Sequence, residues 1–123
     1  MALEKLSVVV PCYNEEETIR LFLTESQLVE SKMKQGVIFD YIFVNDGSTD
    51  KTLEVLRQVS KEFDNVHYLS FSRNFGKEAA LLAGLEAADG DFVTVMDVDL
   101  QDPPEMLLDM YQKIKEGYDV VGT

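Results

Sequence analysis

The sequence predicts an α/β domain with a mainly parallel sheet and helices on both faces. Three observations carry this. Short, nearly continuous apolar runs alternate with longer stretches of helical periodicity along the chain; strands covered on both faces read this way because none of their positions meets water. Each apolar run leads into a polar, turn-prone segment. The 123 residues, 46% of them hydrophobic, suit a single domain spanning 1–123 with a substantial core.

The elements follow in order. Leu6 to Val10 reads as a strand ending at Pro11. Asn14, with Glu17 three residues later, is placed to cap a helix whose apolar stripe includes Ile19, Phe22 and Leu23 and runs towards Met33, with Gly36 closing it. Tyr41 to Val44 forms a second strand, then Asn45-Asp46-Gly47-Ser48 turns into a helix carrying Leu53, Leu56, Val59 and Phe63. Ser48, Thr49 and Asp50 are expected as its caps.

The pattern repeats with a strand at Val66 to Phe71, a helix at Lys77 to Ala88 and a strand at Asp91 to Met96. The small residues Ala79, Ala80, Ala83, Gly84, Ala87 and Ala88 are expected to let that helix lie close on the sheet. Asp102 is a natural N-cap, with Pro103 at the first helical position and Leu107, Leu108, Tyr111 and Ile114 following. Asp119 to Gly122 starts a last strand.

Ligands of open α/β sheets sit beyond the carboxyl ends of the strands, so the strand-to-helix loops are where function is expected. The most informative is Asp97-Val98-Asp99-Leu100-Gln101, directly after the apolar run Phe92 to Met96. Residues i, i+2 and i+4 of an extended segment project to one side, so Asp97, Asp99 and Gln101 converge if the strand continues. Two carboxylates and an amide oxygen suit Mg²⁺ or Mn²⁺ and leave coordination positions for a phosphate. An isolated Asp-x-Asp is more often a solvated strand end; the other loops favour the metal.

Composition excludes several classes. A net charge of −12 argues against a nucleic-acid surface and against polybasic attachment to anionic lipid. Cys12 is the only cysteine, so there is no intrachain disulfide, and it and the single histidine, His67, read as structural. No apolar stretch approaches the length of a membrane span, and Met1 to Lys5 lacks a signal-peptide pattern. The chain as it stands is expected to be soluble and cytoplasmic.

Pro11-Cys12-Tyr13-Asn14-Glu15-Glu16, Asn45-Asp46-Gly47-Ser48-Thr49-Asp50 and Asp97 to Pro104 together resemble the family 2 inverting glycosyltransferases of the GT-A fold. Ser72-Arg73-Asn74-Phe75-Gly76-Lys77-Glu78 and Ala83-Gly84-Leu85 are similar to the branch containing dolichyl-phosphate mannose synthase and bacterial polyprenyl-phosphate glycosyltransferases.

The resemblance implies a Rossmann-like, nucleotide-binding half of a GT-A domain. Pro11, Tyr13 and Glu15 would border the nucleoside, Asp46 would accept hydrogen bonds from base or ribose, and Val98 would lie beside the nucleotide. The alternative for Asp46 is a turn residue bonding its own backbone; for Val98 it is plain packing. Lys77, at a helix start where a cation is unfavourable without an anion, is a diphosphate ligand or an exposed cation balanced by Glu78. Arg73 is a candidate for phosphate or acceptor. Asp97, Asp99 and Gln101 would hold the metal.

The implied reaction is metal-dependent transfer of a hexosyl group, with inversion, from a UDP-glucose or GDP-mannose type donor to a polyprenyl phosphate. No residue here is assignable as catalytic base. Family members run well past the position of Thr123, so the chain is expected to be a donor-binding half with little or no turnover alone, an exposed edge that favours self-association, and a membrane-associated parent. A receiver-like Mg²⁺ module and a nucleotidyltransferase on a related sheet are the competing classes. A dinucleotide oxidoreductase and a P-loop enzyme are disfavoured, since neither glycine motif follows the first strand.

Overall fold

The computed structural model describes residues 4–32, 37–96, 98 and 120–122. The order of elements is β1 Glu4–Cys12, α1 Ile19–Lys32, β2 Val37–Asn45, α2 Thr52–Glu62, β3 Val66–Ser70, α3 Lys77–Ala87, β4 Phe92–Val95 and β5 Val120–Gly122. Among the described residues the strands form one sheet in the order β3-β2-β1-β4-β5, and every pairing is parallel.

The chain steps outward from β1 to β2 and β3, then returns to place β4 on the other side of β1. The strand order therefore reverses between β1 and β4, a topological switch point. The three described strand-to-helix connections, after β1, β2 and β3, open at the same edge of the sheet.

The two faces are distinct. Leu6, Val8, Val10 and Cys12 of β1 and Val37, Phe39, Tyr41 and Phe43 of β2 join Ile19, Phe22 and Leu23 of α1 and Leu56 and Val59 of α2 in the main apolar cluster. Phe22 meets Tyr41 and Phe43 edge-on, with ring centroids 6.3 and 6.1 Å apart; complete burial of such a ring is worth about 2–3 kcal/mol. The opposite face is covered by α3. A Cβ on Gly84 would stand 2.3 Å from Val9 Cγ1 and 3.3 Å from Val44 Cγ2, so the helix seats where only glycine fits. The expected helices on both faces are present.

Several boundaries differ from the sequence reading. β2 begins at Val37 rather than Tyr41. Asp40 hides the extension because it breaks the apolar run, yet it is buried and paired: His67 Nε2 lies 2.9 Å from its Oδ1 and Lys5 Nζ 3.7 Å from its Oδ2. β1 continues through Pro11 to Cys12. Val9 C=O accepts from Met96 N on the β4 side, so the odd residues of β1 face β4; β4 ends level with Val9, and the missing N–H of Pro11 breaks no ladder bond.

The expected cap at Asn14 is corrected. α1 starts at Ile19, and Asn14 has a left-handed backbone, φ 53°, that turns its side chain towards another loop. Met33, Gly36 and the expected helix from Asp102 onward lie outside the described residues.

Candidate functional site

Two pairs of loops at the carboxyl edge are stitched together. The first joins the turn after β1 to the turn after β2. Asn14 Oδ1 accepts from Thr49 N at 2.8 Å and Asp50 N at 3.4 Å, while Asn14 N donates to Ser48 Oγ at 2.9 Å. Glu15 N donates to Thr52 Oγ1 at 2.9 Å, and Glu16 N to Asp50 Oδ2 at 3.4 Å. Asp50 also takes the Thr52 N–H at 2.9 Å, but the N-cap of α2 is Lys51 and carries no side-chain cap bond, so the caps expected at Ser48, Thr49 and Asp50 are corrected; Ser48 and Thr49 instead bond the neighbouring loop at Asn14. Burial pushes the Asp50 carboxyl up, but the Thr52 hydroxyl and these main-chain N–H groups outweigh it and hold it below its ordinary value.

The second pair joins the turns after β2 and β3. Asp46 is 4% exposed, and its Oδ1 accepts from Phe75 N at 2.8 Å. Its Oδ2 accepts from Gly76 N at 3.1 Å and Asn74 Nδ2 at 3.2 Å. Gly47, φ 66°, lets the turns touch backbone to backbone: a Cβ there would lie 2.1 Å from Arg73 C and 2.3 Å from Asn74 N. The close approach that Gly47 permits is thus to the chain's own loop.

The remaining candidates lie along the same edge. Tyr13 is 46% exposed beside half-buried Pro11 and Glu15, and Thr18 Oγ1 donates to Glu15 Oε2 at 2.9 Å. Arg73 is exposed, its guanidinium carbon 4.5 Å from the Phe75 ring centroid, with Phe71 packed edge-on against that ring. Lys77 is exposed at the first residue of α3. Val98 is 2% exposed and belongs to the main apolar cluster. Cys12 is buried, its Sγ 3.4 Å from Val10 O, and burial pushes the thiol well up.

Asp97, Asp99 and Gln101 lie outside the described residues. What is described is their approach: β4 ends at Val95, and Met96 N donates to Val9 O at 3.0 Å, so the chain reaches the carboxyl edge beside β1 immediately before Asp97. Two carboxylates and an amide form a hard-oxygen donor set that fits Mg²⁺ or Mn²⁺. Among the described residues no group of three or more His, Cys, Asp or Glu is arranged to hold a metal ion.

Sequence reasoning missed Asn14 as a loop bridge, and it missed Thr52 and Asn74. Asn14 carried a usable signal, since Asn is among the few side chains that tolerate the left-handed region. Thr52 and Asn74 act across 37 and 28 residues, beyond any local pattern.

A doubly wound parallel sheet with polar loops joined along its carboxyl edge is an α/β domain of the GT-A kind. The chain belongs to glycosyl transferase family 2, whose family description matches residues 7–123. It is 45% identical over 118 residues to the bactoprenol glucosyl transferase of Shigella phage SfV, covering 95% of this chain and 38% of that protein. It is 38% identical over 122 residues to the undecaprenyl-phosphate 4-deoxy-4-formamido-L-arabinose transferase of Photorhabdus laumondii, covering 98% of this chain and 37% of that protein. Among solved structures, residues 1–349 of S. aureus TarS superpose with a TM-score of 0.71 at 30% identity, over 91% of this chain and 32% of that one. The same TarS fragment has been solved with UDP-GlcNAc. The chain thus spans a little over a third of the length of these curated relatives. Family membership sets the chain among the glycosyl transferases rather than with receiver-like modules or nucleotidyltransferases.

Proposed function

We propose that this chain is the donor-binding half of a metal-dependent hexosyltransferase whose acceptor is a polyprenyl phosphate. The observation that carries the reading is the stitched edge: Tyr13, Glu15, Asp46, Arg73 and Lys77 stand on adjoining loops at the carboxyl edge, running outward from the β1 side of the switch point, and open α/β sheets take nucleotides at that edge. Relatives named for bactoprenol and undecaprenyl-phosphate support the acceptor class, and TarS solved with UDP-GlcNAc supports a nucleotide-sugar donor.

In this reading Pro11, Tyr13 and Glu15 border the nucleoside, with Asp46 and Val98 near it. Arg73 and Lys77 supply positive charge for phosphate in a chain of net charge −12. Asp97, Asp99 and Gln101 would hold Mg²⁺ or Mn²⁺, and the bound cation would supply positive charge to offset the negative charge on the departing diphosphate. The bond from the anomeric carbon to the diphosphate oxygen breaks as an acceptor phosphate oxygen bonds the opposite face, giving inversion. That oxyanion carries no proton to remove, so the step needs no general base. Among the described residues no helix is long and apolar enough to cross a membrane; in this reading the lipid acceptor brings the whole protein's reaction to a membrane, with the catalytic domain on its cytoplasmic side.

The test is transfer of radiolabelled sugar from UDP-glucose or GDP-mannose to undecaprenyl phosphate by the intact protein with Mn²⁺. Butanol-extractable label that disappears with EDTA is expected. Hydrolysis of the donor without lipid product would overturn the acceptor.

A further inference from the structure

We propose that Asp46 is a positioning residue: its carboxylate latches the turn after β3 and so sets the placement of Arg73 and Lys77 on the donor diphosphate. The inference rests on the donor-half reading. A carboxylate offers about four acceptor positions, and three are already filled by Phe75 N, Gly76 N and Asn74 Nδ2. The same Asn74 amide also donates to the Asp46 main-chain oxygen at 3.1 Å.

Successive main-chain N–H groups directed at one anion form a nest, a typical site for an external phosphate. Here the chain fills it from within. The filled nest holds Gly76 at φ 103°, a backbone region side chains rarely adopt, one residue before Lys77 opens α3. Arg73 is fixed from the other side, because its main chain presses on Gly47. A nucleoside finds at most one free position on Oδ1, so the larger part of the carboxylate's work is on the loop. Loosening the latch therefore weakens the hold on phosphate and spares the base.

Asn74→Ala tests this, since it removes one latch donor and leaves the Asp46 carboxylate in place. Calorimetric titration of the intact protein with UDP and uridine, and with GDP and guanosine, is run in Mg²⁺ beside amide exchange of Phe75 and Gly76. The expected result is diphosphate affinity lowered at least about fivefold, nucleoside affinity unchanged, and faster exchange at both amides. Gly47→Ala, which forces the two turns apart, should give the same split provided its thermal transition stays cooperative. Equal losses for nucleoside and diphosphate, or a variant matching wild type, overturn the latch alone. A wild-type protein that binds neither diphosphate overturns the donor reading and the latch with it.

Discussion

Asn14 Oδ1 receives the Thr49 main-chain N–H at 2.8 Å, tying the turn after β1 to the turn after β2 across 35 residues. The left-handed backbone at Asn14, φ 53°, is what points the amide there. Asn14→Ala loses these bonds and places alanine where its Cβ is disfavoured. The expected cost is about 1–2 kcal/mol in urea denaturation. Asn14→Gly, which relieves the backbone and still loses the bonds, should fall between the two. A glycine variant no better than alanine would show that the backbone conformation contributes nothing.

Gly84 sits against Val9 with no room for a methyl group. Val9 is fully buried and cannot swing away into solvent. Gly84→Ala should destabilise by about 1–3 kcal/mol despite the higher helix propensity of alanine, measured as a lowered urea midpoint. A stabilised variant would mean that α3 does not seat on β1 as described.

Glu30 accepts from Phe39 N at 3.0 Å, and burial raises its carboxyl above the ordinary value, partly opposed by that N–H. Because the folded state holds this proton more tightly, the group's stabilising contribution is complete below the unfolded value near 4.5 and is lost as pH rises through the higher folded value. Glu30→Gln keeps an oxygen for Phe39 and removes the titration. Its urea midpoint should match wild type near pH 4 and exceed it at pH 7. An equal difference at both pH values would contradict the assignment.

Cys12 ends β1 immediately before the loop that borders the candidate site, yet its thiol is buried and driven up by that burial. It is expected to react with iodoacetamide only when the protein is unfolded, and Cys12→Ala should keep nucleotide affinity within about twofold of wild type. Rapid alkylation of folded protein would contradict this.

Most of the architecture was legible because its signals are local. Apolar runs at Leu6 to Val10 and Phe92 to Met96 mark strands, and the small residues from Ala79 to Ala88 foretold a helix pressed on the sheet. What escaped depends on distant partners. Asp40 looks like a break in β2 until His67 and Lys5 are folded onto it, and Asn14 looks like a helix cap until Thr49 is brought beside it. For the candidate site, residue types pointed to the strand-to-helix loops, and the fold sets those after β1, β2 and β3 side by side. The links that make its loops one unit, Asp46 with Phe75 and Glu15 with Thr52, join residues 29 and 37 apart and leave no periodic trace.

The most direct test of the donor-half account is calorimetric titration of the folded chain with UDP, GDP, UDP-glucose and GDP-mannose, in Mn²⁺ or Mg²⁺ and in EDTA, beside Asp99→Ala. The account predicts binding of nucleotides of one base, at least about tenfold weaker in EDTA and in the variant. Binding that survives both chelation and Asp99→Ala, or no binding by the folded wild type, would contradict it.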